Sequence, residues 1–376
     1  MDVQITEEQG MLRDSVAKFC QNEIPLEKVR ELADDPVGLP DALWMQIAEQ
    51  GWLGLLIPEE HGGIGLGVTE QAIVCEEMGR ALLPGPYLST VLAAYAISKA
   101  GTETAKGAWL EKIVAGEARG TLALLEESAQ LAPRSVHTRA IPSDKGYLLN
   151  GKKFLVEDAV AADFYIVAAR TDEGDDGTTL FVVAKDTPGV SVAPNKLTDL
   201  TSRSGQVTLE NVAVTSDNVL GTPDAGWKVL DDVLAVSNVC LAGACVTGAE
   251  YILKLTVDYA KERTQFGKLI GTFQAVKHPL AYLFAYIESS RSAYHYAAWA
   301  ADAKSEDKRC AAAIACLSCT ETFRKTTLDC LQAHGGIGFT WEYDLHLFLK
   351  RAKHNQNLLG MPRDYEEIVA TEALGI

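Results

Sequence analysis

The order of hydrophobic periodicities along the chain constrains its fold more than any single motif. Apolar residues recur at helical spacing over 229–263, 273–303 and 307–333, and a last helical stretch begins at Glu342. Stripes this long are buried best against one another, so the lengths predict a four-helix bundle. Residues 121–221 read differently. Short β-branched runs at 147–149, 165–168, 179–183 and 206–209 are separated by Asn150-Gly151, Glu173-Gly174-Asp175-Asp176-Gly177 and Thr187-Pro188-Gly189. Strands divided by such turns predict an antiparallel barrel or sandwich of roughly a hundred residues. Upstream the pattern is helical again. Thr6-Glu7-Glu8-Gln9 carries a helix-start signal with acids in the first turn, followed by Met11, Leu12, Val16 and Phe19. Pro40-Asp41 opens another helix, which stops at Gln50-Gly51. The expected class is α+β: a helical N-terminal domain (1–118), a middle β domain (119–222) and a C-terminal four-helix bundle (223–376).

Bulk properties narrow the functional classes. A chain of 376 residues, 47% of them hydrophobic, is too long for one ordinary core. A net charge of −17, from 34 basic and 51 acidic residues, argues against nucleic acid as a general partner. An acidic protein still binds an anionic cofactor through a local arginine or a helix N-terminus. No apolar run is expected to span a bilayer, and Met1-Asp2-Val3-Gln4 lacks the basic head and apolar run of a secretory signal. The expectation is a cytoplasmic protein without a membrane partner. Eight cysteines show no framework spacing. Cys316 and Cys319 form a CxxC, but residues 311–322 read as continuous helix without a second pair or a nearby histidine, so core packing is expected rather than a metal or redox role.

Two segments carry chemistry. Arg263-Thr264-Gln265-Phe266-Gly267-Lys268 closes one long helix, and Phe273-Gln274-Ala275-Val276-Lys277-His278 opens the next. An arginine at such a turn grips a pyrophosphate bidentately, and Phe266 offers a ring for stacking. The plainer alternative is a helix C-terminus with its basic residue and glycine stop. In Gln332-Ala333-His334-Gly335-Gly336-Ile337-Gly338-Phe339, the glycines permit close backbone approach to a ligand and Gln332 offers an amide. A helix C-cap followed by a turn fits that segment equally well.

Taken together and in this α-β-α order, the segments resemble the acyl-CoA dehydrogenase family. The resemblance runs nearly end to end. It includes the 51–65 loop with Pro58-Glu59-Glu60, the Glu76-Glu77-Met78-Gly79-Arg80 helix, the small β domain, and the two motifs followed by Glu342-Tyr343. It implies FAD, a dimer of dimers and an electron-transfer flavoprotein as acceptor. It also implies a reaction in which a carboxylate removes the α-proton of an acyl-CoA thioester while the β-hydrogen leaves as hydride to the flavin. By the same resemblance Arg263, Gln265, Phe266, Gln274, Gln332, Gly335 and Gly336 are the expected contacts to the ADP half of an FAD held by a neighbouring subunit.

The chain departs from the family pattern where chemistry needs it. The two places where members carry the glutamate base correspond to Leu359, before Gly360, and Ser237, beside Asn238; neither is acidic. A tryptophan and a threonine that flank the flavin ring correspond to Leu155 and Glu157, which places the carboxylate pair Glu157-Asp158 near it. The segment that touches flavin and substrate reads Leu125-Glu126-Glu127-Ser128-Ala129-Gln130-Leu131-Ala132-Pro133. The expected function is therefore a subunit without a catalytic base in a heterotetrameric, steroid side-chain type acyl-CoA dehydrogenase. A homologous catalytic subunit would bind most of the acyl-CoA and share the FAD. One alternative is a self-sufficient enzyme whose base is Glu366, Glu367, Asp231 or Asp232. Another is a non-enzymatic homologue that binds acyl-CoA or a partner.

Overall fold

A computed structural model describes residues 5–172, 174 and 177–376. The reading of Met1–Gln4 and most of the turn expected at Glu173–Gly177 therefore lie outside the described residues.

The N-terminal domain is helical: α1 (Glu7–Glu23), α2 (Leu26–Glu31), α3 (Asp41–Glu49), α4 (Val68–Arg80), α5 (Tyr87–Ala100) and α6 (Glu103–Val114). Helix α1 starts where its sequence says it should. The Thr6 hydroxyl accepts from the Gln9 amide, and the Gln9 side chain accepts from the Thr6 amide. Helix α3 ends at Gly51, whose φ of 77° releases the chain from helical geometry.

The central domain is an eight-stranded sheet built from β1 (Gly120–Ala123), β2 (Arg139–Ser143), β3 (Gly146–Glu157), β4 (Phe164–Arg170), β5 (Thr178–Ala184), β6 (Val190–Pro194), β7 (Ser204–Thr215) and β8 (Val219–Leu220). The path runs β6-β7-β3-β2-β4-β5-β8, with β1 added alongside β4. Most neighbours are antiparallel as expected, but β1 pairs β4 in parallel, and β2 meets it through the single parallel pair Arg139–Arg170. The sheet is thus mixed.

Strand β4 explains how the sheet is seated. Phe164, Ile166 and Ala168 enter the core shared with the helices, whereas Tyr165, Val167 and Ala169 enter a second core inside the β domain. A period of two with both faces covered makes a continuous apolar run.

The C-terminal domain is the expected bundle. Helix α7 (Gly226–Glu262) packs on α8 (Gln274–Asp302), α9 (Lys308–His334) and α10 (Leu345–Asn355), and α11 (Pro362–Val369) lies against α9. A two-stranded hairpin, β9 (Thr264–Gln265) and β10 (Lys268–Leu269), joins α7 to α8. One expectation needs correction. Helix α7 is long and apolar enough to cross a membrane, with a mean hydropathy of 1.7 in its best window. That window is 78% buried inside the protein, so its apolarity is that of a core helix packed on all sides. Helices α4 and α7 touch through small residues: a Cβ on Gly79 would come within 2.4 Å of Ala244.

All eight cysteines are free and buried, Cys316 and Cys319 among them. Among the described residues no cluster of three metal-ligating side chains occurs.

Candidate functional site

The two sequence motifs come together at one end of the bundle. The backbone of Arg263 turns extended and ends α7. The chain then reverses through Phe266 and Gly267, both in the left-handed region (φ 52° and 75°), which is the geometry of a two-residue hairpin turn. A phenylalanine is strained there, and its ring is 93% exposed with only an edge contact to Phe273. Arg263, Gln265 and Gln274 are exposed beside it. One turn upstream, Tyr259 stacks on His334 with ring centroids 4.2 Å apart. This stack ties the end of α7 to the end of α9, where Gln332, Gly335 and Gly336 are exposed as well. His334 is buried and its Nδ1 donates to the Cys330 carbonyl, 2.9 Å away. Burial lowers its pKa, against the smaller opposing effect of the hydrogen bond to the Cys330 carbonyl. Gly336 has neither positive φ nor any atom within 4 Å of an added Cβ. Nothing inside the chain requires glycine there.

The expected base position lies elsewhere, at the junction of the three domains. Leu359 is 8% exposed, has a φ of 51°, and accepts a hydrogen bond from the Tyr365 hydroxyl through its carbonyl (3.0 Å). It lines a cavity of about 120 Å³ whose apolar wall includes Leu83, Leu92 and Leu241. The opposite wall is ionic. Glu157 pairs with His354 Nε2 at 3.1 Å, and the Ser89 hydroxyl donates to Asp158 at 2.7 Å. Arg351 binds Asp199 at 3.0 Å and donates to the Thr201 and Leu83 carbonyls. Sequence reasoning singled out Glu157 and Asp158 but missed the groups that engage them, His354 and Ser89, and the Arg351–Asp199 pair beside them. The only sequence signal for Arg351 and His354 was their i,i+3 spacing on one amphipathic helix.

The 125–133 segment is held by a buried ion pair. Glu126 accepts from Lys153 Nζ (2.7 Å), from the Thr138 hydroxyl (2.7 Å) and from the amides of His137 and Thr138. Lys153 is fully buried, and burial outweighs the Glu126 carboxylate, lowering its pKa to about 8. Beyond this pair, residues 130–133 line a larger cavity of about 490 Å³ together with Trp227, Asp231, Asn238 and Tyr365. Ser237, the other base position, is buried within α7. Of the alternative bases, Asp231 and Glu367 line this larger cavity, Asp231 pairs with Arg309 (3.2 Å), Asp232 pairs with Lys308 (2.6 Å), and Glu366 is exposed. None of the four lines the cavity at Leu359.

Of the nine non-glycine residues with left-handed backbone among the described residues, five lie in these segments. Ala129, Leu155, Asp158, Phe266 and Leu359 all have φ between 49° and 52°. Strain of this kind costs of order 1–3 kcal/mol per residue and persists only where surrounding structure imposes it.

The whole architecture has known counterparts. Residues 6–117 match the model of the acyl-CoA dehydrogenase N-terminal domain, 121–212 that of the middle domain and 224–363 that of the C-terminal domain. An acyl-CoA dehydrogenase of Bacillus subtilis is 31% identical over 381 residues, covering 99% of each chain. Among solved structures, the FAD complex of PigA superposes with a TM-score of 0.92 at 25% identity over 100% of this chain and 99% of that one. A Tcur3481–Tcur3483 steroid ACAD superposes with a TM-score of 0.88 at 29% identity over 99% of both. With helical, β and helical domains in this order, all three matched along one continuous chain, the protein belongs to the acyl-CoA dehydrogenase family.

Proposed function

We propose that this chain is the non-catalytic subunit of a heteromeric, FAD-dependent acyl-CoA dehydrogenase acting on a bulky, steroid-type acyl-CoA. It offers its exposed bundle end to an FAD held mainly by a catalytic partner. One observation carries the reading. The junction around Leu359 leaves only about 120 Å³ and fills one wall with paired charges, whereas sites for drug-sized ligands span about 300–1,000 Å³. The junction therefore does not fit a flavin ring, and no proton-abstracting carboxylate stands at Leu359 or Ser237.

The bundle end does fit the other half of the cofactor. Arg263 supplies a planar fork for a pyrophosphate, Gln265, Gln274 and Gln332 supply amides, and Gly335 and Gly336 leave backbone open to close approach. Phe266 then gains the cover that its exposed ring lacks. When bound, FAD would supply the hydride acceptor for the acyl β-carbon and a route for electrons to an electron-transfer flavoprotein. The steroid ACAD neighbour, named for two components, supports a two-chain arrangement and a bulky substrate.

A second reading is favoured by the larger cavity. Its 490 Å³ lies in the ligand range, and Asp231 in its wall has a pKa raised by burial. There the chain would be self-sufficient, with Asp231 as base. Co-purification with a co-expressed catalytic partner, followed by flavin counting, separates the two. One FAD for every two chains, with none retained and no turnover by the isolated chain, is expected. One FAD per chain, or turnover by the isolated chain that Asp231→Asn abolishes, overturns the subunit reading.

A further inference from the structure

The ionic wall at the domain junction has a second property, separate from cofactor binding. Its members come from all three domains. Ser89 stands on α5, Glu157 ends β3 with Asp158 just beyond it, Asp199 and Arg203 lie between β6 and β7, and Arg351 and His354 stand on α10. Asp158 is fixed in its left-handed conformation from both sides: its amide donates to the Arg203 carbonyl (2.9 Å), and its own carbonyl accepts from Ala161 (2.9 Å) and Ala162 (3.0 Å). Its carboxylate meets Ser89 but, among the described residues, no cation at ion-pair distance. Arg203 is spent on backbone carbonyls, among them Leu32, Ala33 and Asp35, so it ties the β domain to the N-terminal helices without touching Asp158. Arg351 is committed to Asp199, and His354 to Glu157. Asp158 is thus a buried acid next to a second acid, with every nearby cation already engaged. The thiols of Cys75 and Cys240 and the phenol of Tyr87 add further titratable groups to the cavity wall.

We propose that this junction is a proton-held clasp: a proton on Asp158 and a charged His354 hold the three domains closed, and loss of these protons as pH rises loosens them. The proposal stands on the geometry of this chain alone and holds whether or not the chain pairs with a catalytic partner. Burial and then the Glu157 carboxylate push the Asp158 carboxyl up to about 7. Burial disfavours charge on His354, but the Glu157 carboxylate outweighs it and raises its pKa. Both groups hold protons more tightly folded than unfolded. The stabilisation is complete below their unfolded values and is lost as pH rises through the folded ones. For Asp158 the loss runs from its ordinary value of 3.8 up to about 7, and for His354 it runs above 6.5. Asp199 is shifted the other way, and its contribution is lost only in strong acid.

The test is the thermal midpoint of the full-length chain across pH 5 to 9. Asp158→Asn keeps the shape and a hydrogen-bonding group toward Ser89 but cannot ionise. The difference in midpoint, variant minus wild type, is expected to climb by several degrees from pH 5 to pH 8 and to be positive at pH 8. A difference that stays flat across pH overturns the clasp. Should Asp158→Asn fail to fold at any pH, His354→Gln provides the same contrast. It is expected to destabilise more at pH 6, where the Glu157 pair is charged, than at pH 9. Equal destabilisation at both overturns the proposal.

Discussion

Leu359 and Phe266 share a nearly identical left-handed backbone, with φ of 51° and 52°, yet one is 8% exposed and the other 93%. Around Leu359 the chain has closed over its own strain. Three domains converge, Glu157 and Asp199 are paired with His354 and Arg351, and little space is left. Around Phe266 a strained hairpin and a glycine-rich helix end face outward, with an aromatic ring in solvent. Strain covered from within needs nothing further. Strain kept on the surface beside an uncovered ring is what the proposed docking of another body would account for. On the proposed reading, the contrast is that of a family member whose fold is intact while its own junction is closed.

The strongest way to break this comparison is to reopen the closed region. Leu359→Glu restores a carboxylate where the family base is expected, but buries it unpaired. Denaturant titration should show a loss of about 3 kcal/mol or more. No turnover should appear in the isolated chain, because a base without a seated flavin ring has no hydride acceptor. Turnover above background would mean that the junction is not closed. An intermediate effect is expected at the other end. Arg263→Ala should leave the isolated chain's unfolding nearly unchanged while the complex with a catalytic partner retains FAD on the order of ten- to a hundredfold less tightly, the worth of a charge-assisted hydrogen bond. Unchanged retention would leave the hairpin an ordinary helix stop. The smallest effect sharpens the point. Gly336→Ala should shift the isolated chain's stability by less than about 0.5 kcal/mol, since an added methyl meets nothing within 4 Å. The same change should still reduce the FAD content of the complex. If neither moves, nothing approaches that backbone.

Legibility from sequence followed range. The bundle was readable because periodicity over some thirty residues is a local property, and α7, α8 and α9 end within a few residues of where their apolar stripes end. The runs at 147–149, 165–168, 179–183 and 206–209 all fall inside strands. Strands β1, β2, β6 and β8 escaped notice. β8 has only two residues, and β2 carries exposed polar positions and a proline, so neither shows a pattern. The parallel pairing of β1 with β4 was equally hidden, since nothing in Gly120–Ala123 states the direction of its partner. At the candidate site the absence of an acid at Leu359, where the resemblance places the base, could be read in one dimension. The partners of Glu157 and Asp158 were not, because Ser89 and His354 lie far from them along the chain.

What the sequence determined by itself was therefore the set of local commitments: which stretches are helical, where they stop, and which motif residues are present. Tertiary structure decided whether those residues face solvent or one another. It turned the hairpin and the Gln332–Gly336 helix end outward together, through the contact of Tyr259 with His334. It folded Ser89, Asp158 and His354 into one buried junction, where low dielectric and neighbouring charge, rather than residue type, set their protonation. A residue's conformational preference depends on its neighbours in sequence, whereas its burial and its field depend on neighbours in space, and only the fold supplies those.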